Sequence, residues 1–234
     1  MPRALILFSG GLKSASLIFK AKEMDVEEPM AIHFEWENRA HDSEREAARR
    51  LSKKASIELM EVRLPSFGDI ATHIGKEWPA QDSDIESTEI THHVPGLIPT
   101  MLIQAAVLAA GKDCDRIGLG IRLGDGSWPG ISPLSLQMIE NVFRHAIGTG
   151  ITIWAPWLTV KADEPLRLIR ASWMDEETLA GSHSCLIQKR PPCGVCRACK
   201  NRAIMFKAAG RVDPVFGVKD WKDSPNRHKP AAPK

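Results

Sequence analysis

The chain has 234 residues, 43% hydrophobic and 26% charged, with a net charge of +2. That length buries a sizeable core and suits one domain with a small appendage, and the near-neutral balance gives no electrostatic reason to expect nucleic acid or anionic lipid as a partner. No run is long and apolar enough for a membrane span, no N-terminal stretch has a signal-peptide pattern, and five cysteines without an export signal suit a reducing compartment, so the expected location is cytoplasmic.

Ala4–Phe8 is an uninterrupted apolar run, the pattern of a strand buried on both faces. It leads into Ser9-Gly10-Gly11-Leu12-Lys13-Ser14 and then a helical pattern. Two glycines at the carboxyl end of a first strand let backbone N–H groups approach an anion, and the following helix offers its positive end. Ser9 and Ser14 add hydroxyl donors. The bland alternative is an ordinary strand–turn–helix junction. A P-loop is excluded, because it needs glycine directly before its lysine and Leu12 stands there.

Further strands are expected at Met30–Phe34, Ile57–Leu64, Arg116–Ile121 and Ile151–Ala155. Between them, residues 41–56 read as a helix with Ser43 and Glu46 at capping-box spacing. Residues 99–111 read as a helix that Gly111 ends as its C′ residue. Residues 132–148 read as a helix with Ser132 as cap, Pro133 in the first position and Gly148 as stop. Strands alternating with helices predict an α/β fold, a doubly wound and mostly parallel sheet whose ligands bind beyond the carboxyl ends of the strands. Residues 65–99 are polar and proline-rich, an ordered excursion or lid beside the site. The expected organisation is an α/β domain with the glycine loop over 1–180, a metal-binding segment over 181–218 and a flexible tail over 219–234.

Cys185, Cys193, Cys196 and Cys199 form two successive C-x-x-C steps with a fourth cysteine upstream. Four soft thiolates with no open position suit structural tetrahedral zinc, with an iron–sulfur cluster as the alternative. Cys114 stands apart and reads as a small core residue. Among other polar residues, His33 at a strand end either frames a nucleotide base or is a satisfied core histidine. His92 and His93 are adjacent in an extended stretch, so their side chains diverge and a metal pair is disfavoured. Lys161 either meets a phosphate or is an exposed lysine after a strand. Asp125 is the best acidic candidate for substrate or magnesium, with a turn aspartate as the plain alternative. Trp128 either stacks on a purine or packs its own loop.

Together, the loop and the cysteine set resemble the 7-cyano-7-deazaguanine synthase family, from about Ala4 to Phe206. The loop is similar to the S-G-G-x-D-S loop of ATP pyrophosphatases, which implies an adenine nucleotide alpha hydrolase-like fold. "AIHFEWENRAHDSEREAA" resembles the family's second strand and helix start through His33, His41, Glu44 and Glu46. Val94-Pro95-Gly96 resembles its V-P-G-R-N turn, and Gly120, Asp125, Ser127, Trp128 and Pro129 fall at its substrate loop. "APWLTVKAD" resembles a T-P-L…K-A-E segment, and the cysteine run with Arg202 resembles the zinc-binding end.

The resemblance implies an ATP-dependent C–N ligase forming AMP and pyrophosphate. Such enzymes adenylate 7-carboxy-7-deazaguanine, let ammonia displace AMP to give an amide, and activate the amide again to reach the nitrile of the queuosine pathway. It implies ATP, Mg2+ and Zn2+ as cofactors and a homodimer. ATP contacts fall on Ser9, Gly10, Gly11, Leu12, Ser14, His33 and Phe34, and substrate contacts on Pro95, Gly96, Trp128 and Arg202. Lys13, Asp125 and Lys161 take the catalytic positions, and the four cysteines hold the metal. Three departures stand out: Lys13 replaces the loop aspartate, Leu97 and Ile98 replace arginine and asparagine, and Gly130-Ile131-Ser132 replace an aspartate–cysteine–arginine run. Two further readings follow from them. One is a diverged enzyme that joins the activated deazaguanine to an amine of a protein partner in antiviral defence. The other is a non-catalytic nucleotide or deazapurine binding protein.

Overall fold

The computed structural model describes residues 3–64 apart from 25, 27, 37 and 39, then 96–123, 131–171, 174–186, and 192–216 apart from 195. Five strands form one sheet: β1 (Ala4–Leu7), β2 (Met30–Glu35), β3 (Leu59–Arg63), β4 (Arg116–Leu119) and β5 (Thr152–Trp154). They lie in the order β3-β2-β1-β4-β5, and every neighbouring pair is parallel. All five expected strands are present, four with ends trimmed by one or two residues and β2 one residue longer.

The apolar run of β1 follows from its central place, because side chains on both faces are covered. Leu5 and Leu7 point into one apolar layer with Ile32, Ile117 and the helix α3 (Leu97–Gly111). Ala4, Ile6 and Phe8 point into the other layer, against α1 (Leu12–Glu23) and α2 (His41–Ala55). The first layer also takes Leu136 of α4 (Pro133–Val142) and Phe143 of the π-turn that continues it to Ile147. The second layer takes Leu166 of α5 (Glu164–Ala171), Leu179 of α6 (Glu176–Gly181), and Met205 and Phe206 of α7 (Arg197–Ala208). Helices on both faces of a parallel sheet make the fold doubly wound. The chain runs outward from β1 to β3, then crosses to β4 on the far side of β1. The carboxyl ends of β1 and β4 therefore flank the point where strand order reverses, the standard place for a ligand in such sheets.

The helix ends hold two corrections. Ser43 and Glu46 form no capping box, because α2 begins two residues earlier, with Ala40 in the cap position and no side-chain cap. Asn38 organises that turn instead, its Oδ1 accepting from the Ala40 N–H at 2.8 Å. Gly111 is the last residue inside α3, and the left-handed position falls on Asp113 (φ 54°), a residue type that tolerates it. The third expectation holds. Ser132 caps α4 by accepting from Ser135 N–H at 3.1 Å, Ser135 Oγ accepts from Ser132 N–H at 2.8 Å, and Gly148 stops the continuation at φ 79°. Cys114 is a buried core residue, as expected. Among the described residues no helix is long and apolar enough to cross a membrane. Most of the 65–99 excursion, with His92 and His93, and the 219–234 tail lie outside the described residues.

Candidate functional site

The two loop glycines look alike in the sequence and differ in the fold. Gly10 adopts φ +73°, and a Cβ there would sit 2.6 Å from Ala48 N and 2.8 Å from both Ala47 Cβ and Glu44 O. The turn is therefore pressed against the first half of α2, and only glycine fits. Gly11 has ordinary extended geometry (φ −79°, ψ 163°) and precedes α1, whose first turn has neither a side-chain cap nor an acidic residue. Helix N-terminal N–H groups left uncapped at a strand end are an anion site in waiting. Ser14 Oγ donates to Gly11 O at 3.1 Å and lies 3.2 Å from Ser9 Oγ, which fixes both hydroxyls at the mouth. Gly120, past β4, closes the other side. A Cβ on it would meet Ser14 N and Cα at 2.9 Å, so the end of β4 passes directly under the start of α1.

This loop opens into a cavity of about 280 Å3. Ser9, Gly11, Leu12, Lys13, Ser14, His33 and Phe34 all line it, so six of the seven expected nucleotide contacts meet in one place with Lys13, while Gly10 supports the turn from behind. The Leu12 side chain is buried in the core, so its share falls to the main chain. His33 is 2% exposed, and its Nδ1 donates to Phe8 O at 2.9 Å. Burial lowers its pKa and keeps the ring neutral. Its Nε2 is then an acceptor, buried and without a hydrogen-bond partner, on a residue that lines the cavity. A buried acceptor left open in a cavity wall suits a ligand N–H.

Gly96 (φ 82°) stands in the cap position of α3, and Leu97, Ile98 and Met101 of that helix form an apolar wall of the cavity. The positions where the chain departs from the family turn thus face the site. Pro95, Asp125 and Trp128 lie outside the described residues. Two other expected site residues are placed as follows. Lys161 is exposed between β5 and α5 and is not part of the cavity lining. Arg202 borders the cavity, but its guanidinium is committed elsewhere. It is 3% exposed, pairs with Asp213 at 2.6 and 2.9 Å, and also donates to Ser182 Oγ and Leu179 O. These bonds hold the guanidinium in the core at the cavity's edge.

Several lining residues had no place in the expected set: Asn38, Glu44, His183, Arg197 and Asn201. Glu44 is half-buried on α2, accepts from Asn38 Nδ2 at 3.0 Å, and turns its remaining surface to the cavity. Burial pushes its carboxyl from the ordinary 4.5 up to about 7. The folded pKa exceeds the unfolded one, so the cost of this group is absent below pH 4.5, grows to about pH 7 and is constant above. Glu44→Gln is therefore expected to stabilise the metal-loaded protein by about 1–3 kcal/mol at pH 8 and by much less at pH 5.5. Urea denaturation at both pH values measures this, and an equal effect at the two would contradict it.

The four cysteines are 0–4% exposed, and their Sγ atoms all lie within 4.8 Å of one another. A tetrahedral zinc–thiolate site has sulfur–sulfur edges of about 3.8 Å, so little contraction is needed. Cys193 and Cys196 donate main-chain N–H groups to Cys185 Sγ and Cys193 Sγ at 3.4 Å each. Mutual thiol contacts pull Cys185 down and Cys193 to about 7, while Cys196 and Cys199 are pushed up. Four thiolates so close cannot all ionise without a cation among them, and the donor set fits one.

The sequence model of queuosine biosynthesis protein QueC matches residues 3–210. The 7-cyano-7-deazaguanine synthase of Methanosarcina barkeri is 28% identical over 232 residues, covering 92% of this chain and 97% of that protein. The synthase of Methanosarcina mazei is 30% identical over 231 residues, covering 92% and 97%. In structure, the chain is similar to a predicted subunit of tRNA methyltransferase from Methanocaldococcus jannaschii, with a TM-score of 0.51 at 15% identity, over 92% of this chain and 91% of that one. That last likeness concerns the fold alone. The sequence match runs from β1 through α7, taking in the loop, the cavity and all four cysteines, and the chain belongs to the QueC family.

Proposed function

We propose that this chain is an ATP-dependent enzyme that adenylates the carboxylate of a 7-carboxy-7-deazaguanine-like acid and forms an amide or nitrile from it. The observation that carries this reading is the uncapped start of α1 behind Gly10 and Gly11, opening into a cavity together with Lys13 and the open acceptor of His33. A carboxylate is a poor electrophile until its oxygen belongs to a good leaving group. Its oxygen attacks the α-phosphorus of ATP, and pyrophosphate leaves. Ammonia then attacks the acyl carbon, AMP leaves and a proton is shed. A second activation, of the amide oxygen, leads to the nitrile. The chain contributes position and charge. Main-chain N–H groups of the loop, Ser9 and Ser14 hold phosphate oxygens, Lys13 adds a point charge, and His33 Nε2 accepts from the amino group of the base. In this reading Asp125, Trp128, Pro95 and Gly96 meet the acid, Mg2+ accompanies ATP, and Zn2+ sits among Cys185, Cys193, Cys196 and Cys199. The protein acts as a cytoplasmic homodimer.

A second reading changes the acceptor to an amine of a protein partner. Leu97 and Ile98, apolar where the family has arginine and asparagine, favour it because they line the cavity itself. One experiment addresses both. The protein is incubated with ATP, 7-carboxy-7-deazaguanine and ammonium, and nucleotides, small molecules and candidate partners are read by mass spectrometry. AMP and pyrophosphate are expected, and ADP as the nucleotide product would refute the acyl-adenylate. Lys13→Asp is expected to change the magnesium dependence of AMP release. Unchanged ATP affinity, AMP release and magnesium response would place Lys13 away from the phosphates.

A further inference from the structure

One short piece of chain joins the phosphate loop to the cysteine set. The His183 main-chain N–H donates to Gly10 O at 2.9 Å, and the His183 carbonyl would lie 3.3 Å from a Cβ on Gly11. The segment thus runs alongside both glycines. The His183 ring is buried, and its Nε2 donates to the Cys185 carbonyl at 2.7 Å, so the ring braces the main chain directly at the first thiol. From the other side, Arg202, three residues beyond Cys199 on α7, donates to Ser182 Oγ at 2.7 Å, Ser184 Oγ at 3.4 Å and Leu179 O at 2.9 Å. The start of α7, with Cys196 in its cap position, presents Arg197, Ala198 and Asn201 to the same cavity as the loop. The elements that carry the thiols are therefore also the far wall of the cavity.

We propose that His183 is a positioning residue that couples the cysteine centre to the phosphate loop, so that a metal among the thiols tightens nucleotide binding without touching the nucleotide. With the thiols drawn together, Cys185 is fixed, the His183 brace holds Ser182–Cys185 in register, and the bond to Gly10 O keeps the turn in its anion-binding shape. With the thiols apart, the hold on Cys185 through a shared ion is lost, and the far end of that brace is less firmly fixed. The inference rests on nucleotide binding at the loop, as proposed above. Coupling of this kind is reciprocal: the nucleotide must tighten the metal by the same factor as the metal tightens the nucleotide.

The test uses the full chain loaded with zinc and an ATP analogue bridged by methylene between the α- and β-phosphorus. Competition against a zinc-buffering chelator gives zinc affinity with and without saturating analogue, and calorimetry gives analogue affinity before and after zinc removal. Each is expected to shift at least tenfold, in the same direction and by the same factor. His183→Ala is expected to keep its zinc while the shift falls to about twofold or less, and His183→Gln, which can still donate to the Cys185 carbonyl, is expected to restore most of it. If the analogue binds but zinc affinity is unchanged, the coupling is refuted and the proposed function stands. If His183→Ala couples as well as the parent, His183 is not the link and the proposal fails. If the zinc-loaded chain binds no analogue, both readings fall together. A stripped chain that loses its fold would give the parent and His183→Ala the same shift, and that outcome counts against the proposal.

Discussion

Gly10→Ala is expected to destabilise the protein by at least about 3 kcal/mol and to abolish nucleotide binding. The left-handed conformation of Gly10 costs an alanine about 1–2 kcal/mol before any contact is counted. The added Cβ would then overlap Ala48 N at 2.6 Å and Glu44 O at 2.8 Å, both backbone atoms of α2. Backbone inside a helix does not yield as a flexible side chain does, so the turn must move, and the loop moves with it. Gly11→Ala is the internal control. Its φ of −79° suits any residue, and its Cβ would meet Ser9 Oγ at 3.1 Å and His183 O at 3.3 Å, an adjustable crowding. A stability change within about 1 kcal/mol is expected there. Chemical denaturation of the two variants beside the parent decides it, and equal losses would refute the placement of the loop against α2.

Cys196→Ser is expected to empty the thiol site and lower the thermal midpoint by roughly 8–16 °C, on the scale of 2–4 °C per kcal/mol for a chain of this size. Metal binding to such a set is itself folding free energy, and Phe216 and Leu186 pack around the cysteines, so loss of the ion loosens more than the ligands. The parent is expected to hold about one zinc per chain by elemental analysis. Cys114→Ser, a change in the core under α3, is expected to leave that content intact. Iron with a cluster absorbance would replace the zinc assignment, and metal retained in Cys196→Ser would break the four-ligand site.

Much of the fold was legible because the signals are local. The strands came from apolar runs bounded by polar turns, and burial on both faces of a parallel sheet is what makes such runs continuous. The Ser132-Pro133 start and the Gly148 stop were legible for the same reason, since cap chemistry lies within a few residues. Ser43 misled because the same short spacing recurs inside a helix whose real start is set by the Asn38 turn. Gly111 misled because glycine is tolerated inside a helix end when the left-handed residue comes two positions later.

The candidate site divides along the same line. The loop glycines with their serines, and the cysteine spacing, are covalently close, so residue type and interval alone determined a glycine turn after the first strand and a four-thiol set. Which glycine is indispensable, where Lys161 and Arg202 point, and that Glu44, Asn38, His183 and Asn201 share one cavity depend on elements far apart in the chain. Arg202 reads as a substrate contact from the resemblance, and only the fold shows Asp213 within 2.6 Å of it in the core. Gly10 and Gly11 are the same residue type side by side, and only the packing of α2 against one of them tells them apart. Periodicity and spacing are properties of the chain taken a few residues at a time, whereas contact between distant elements is created by close packing, and that is what the tertiary structure alone decided.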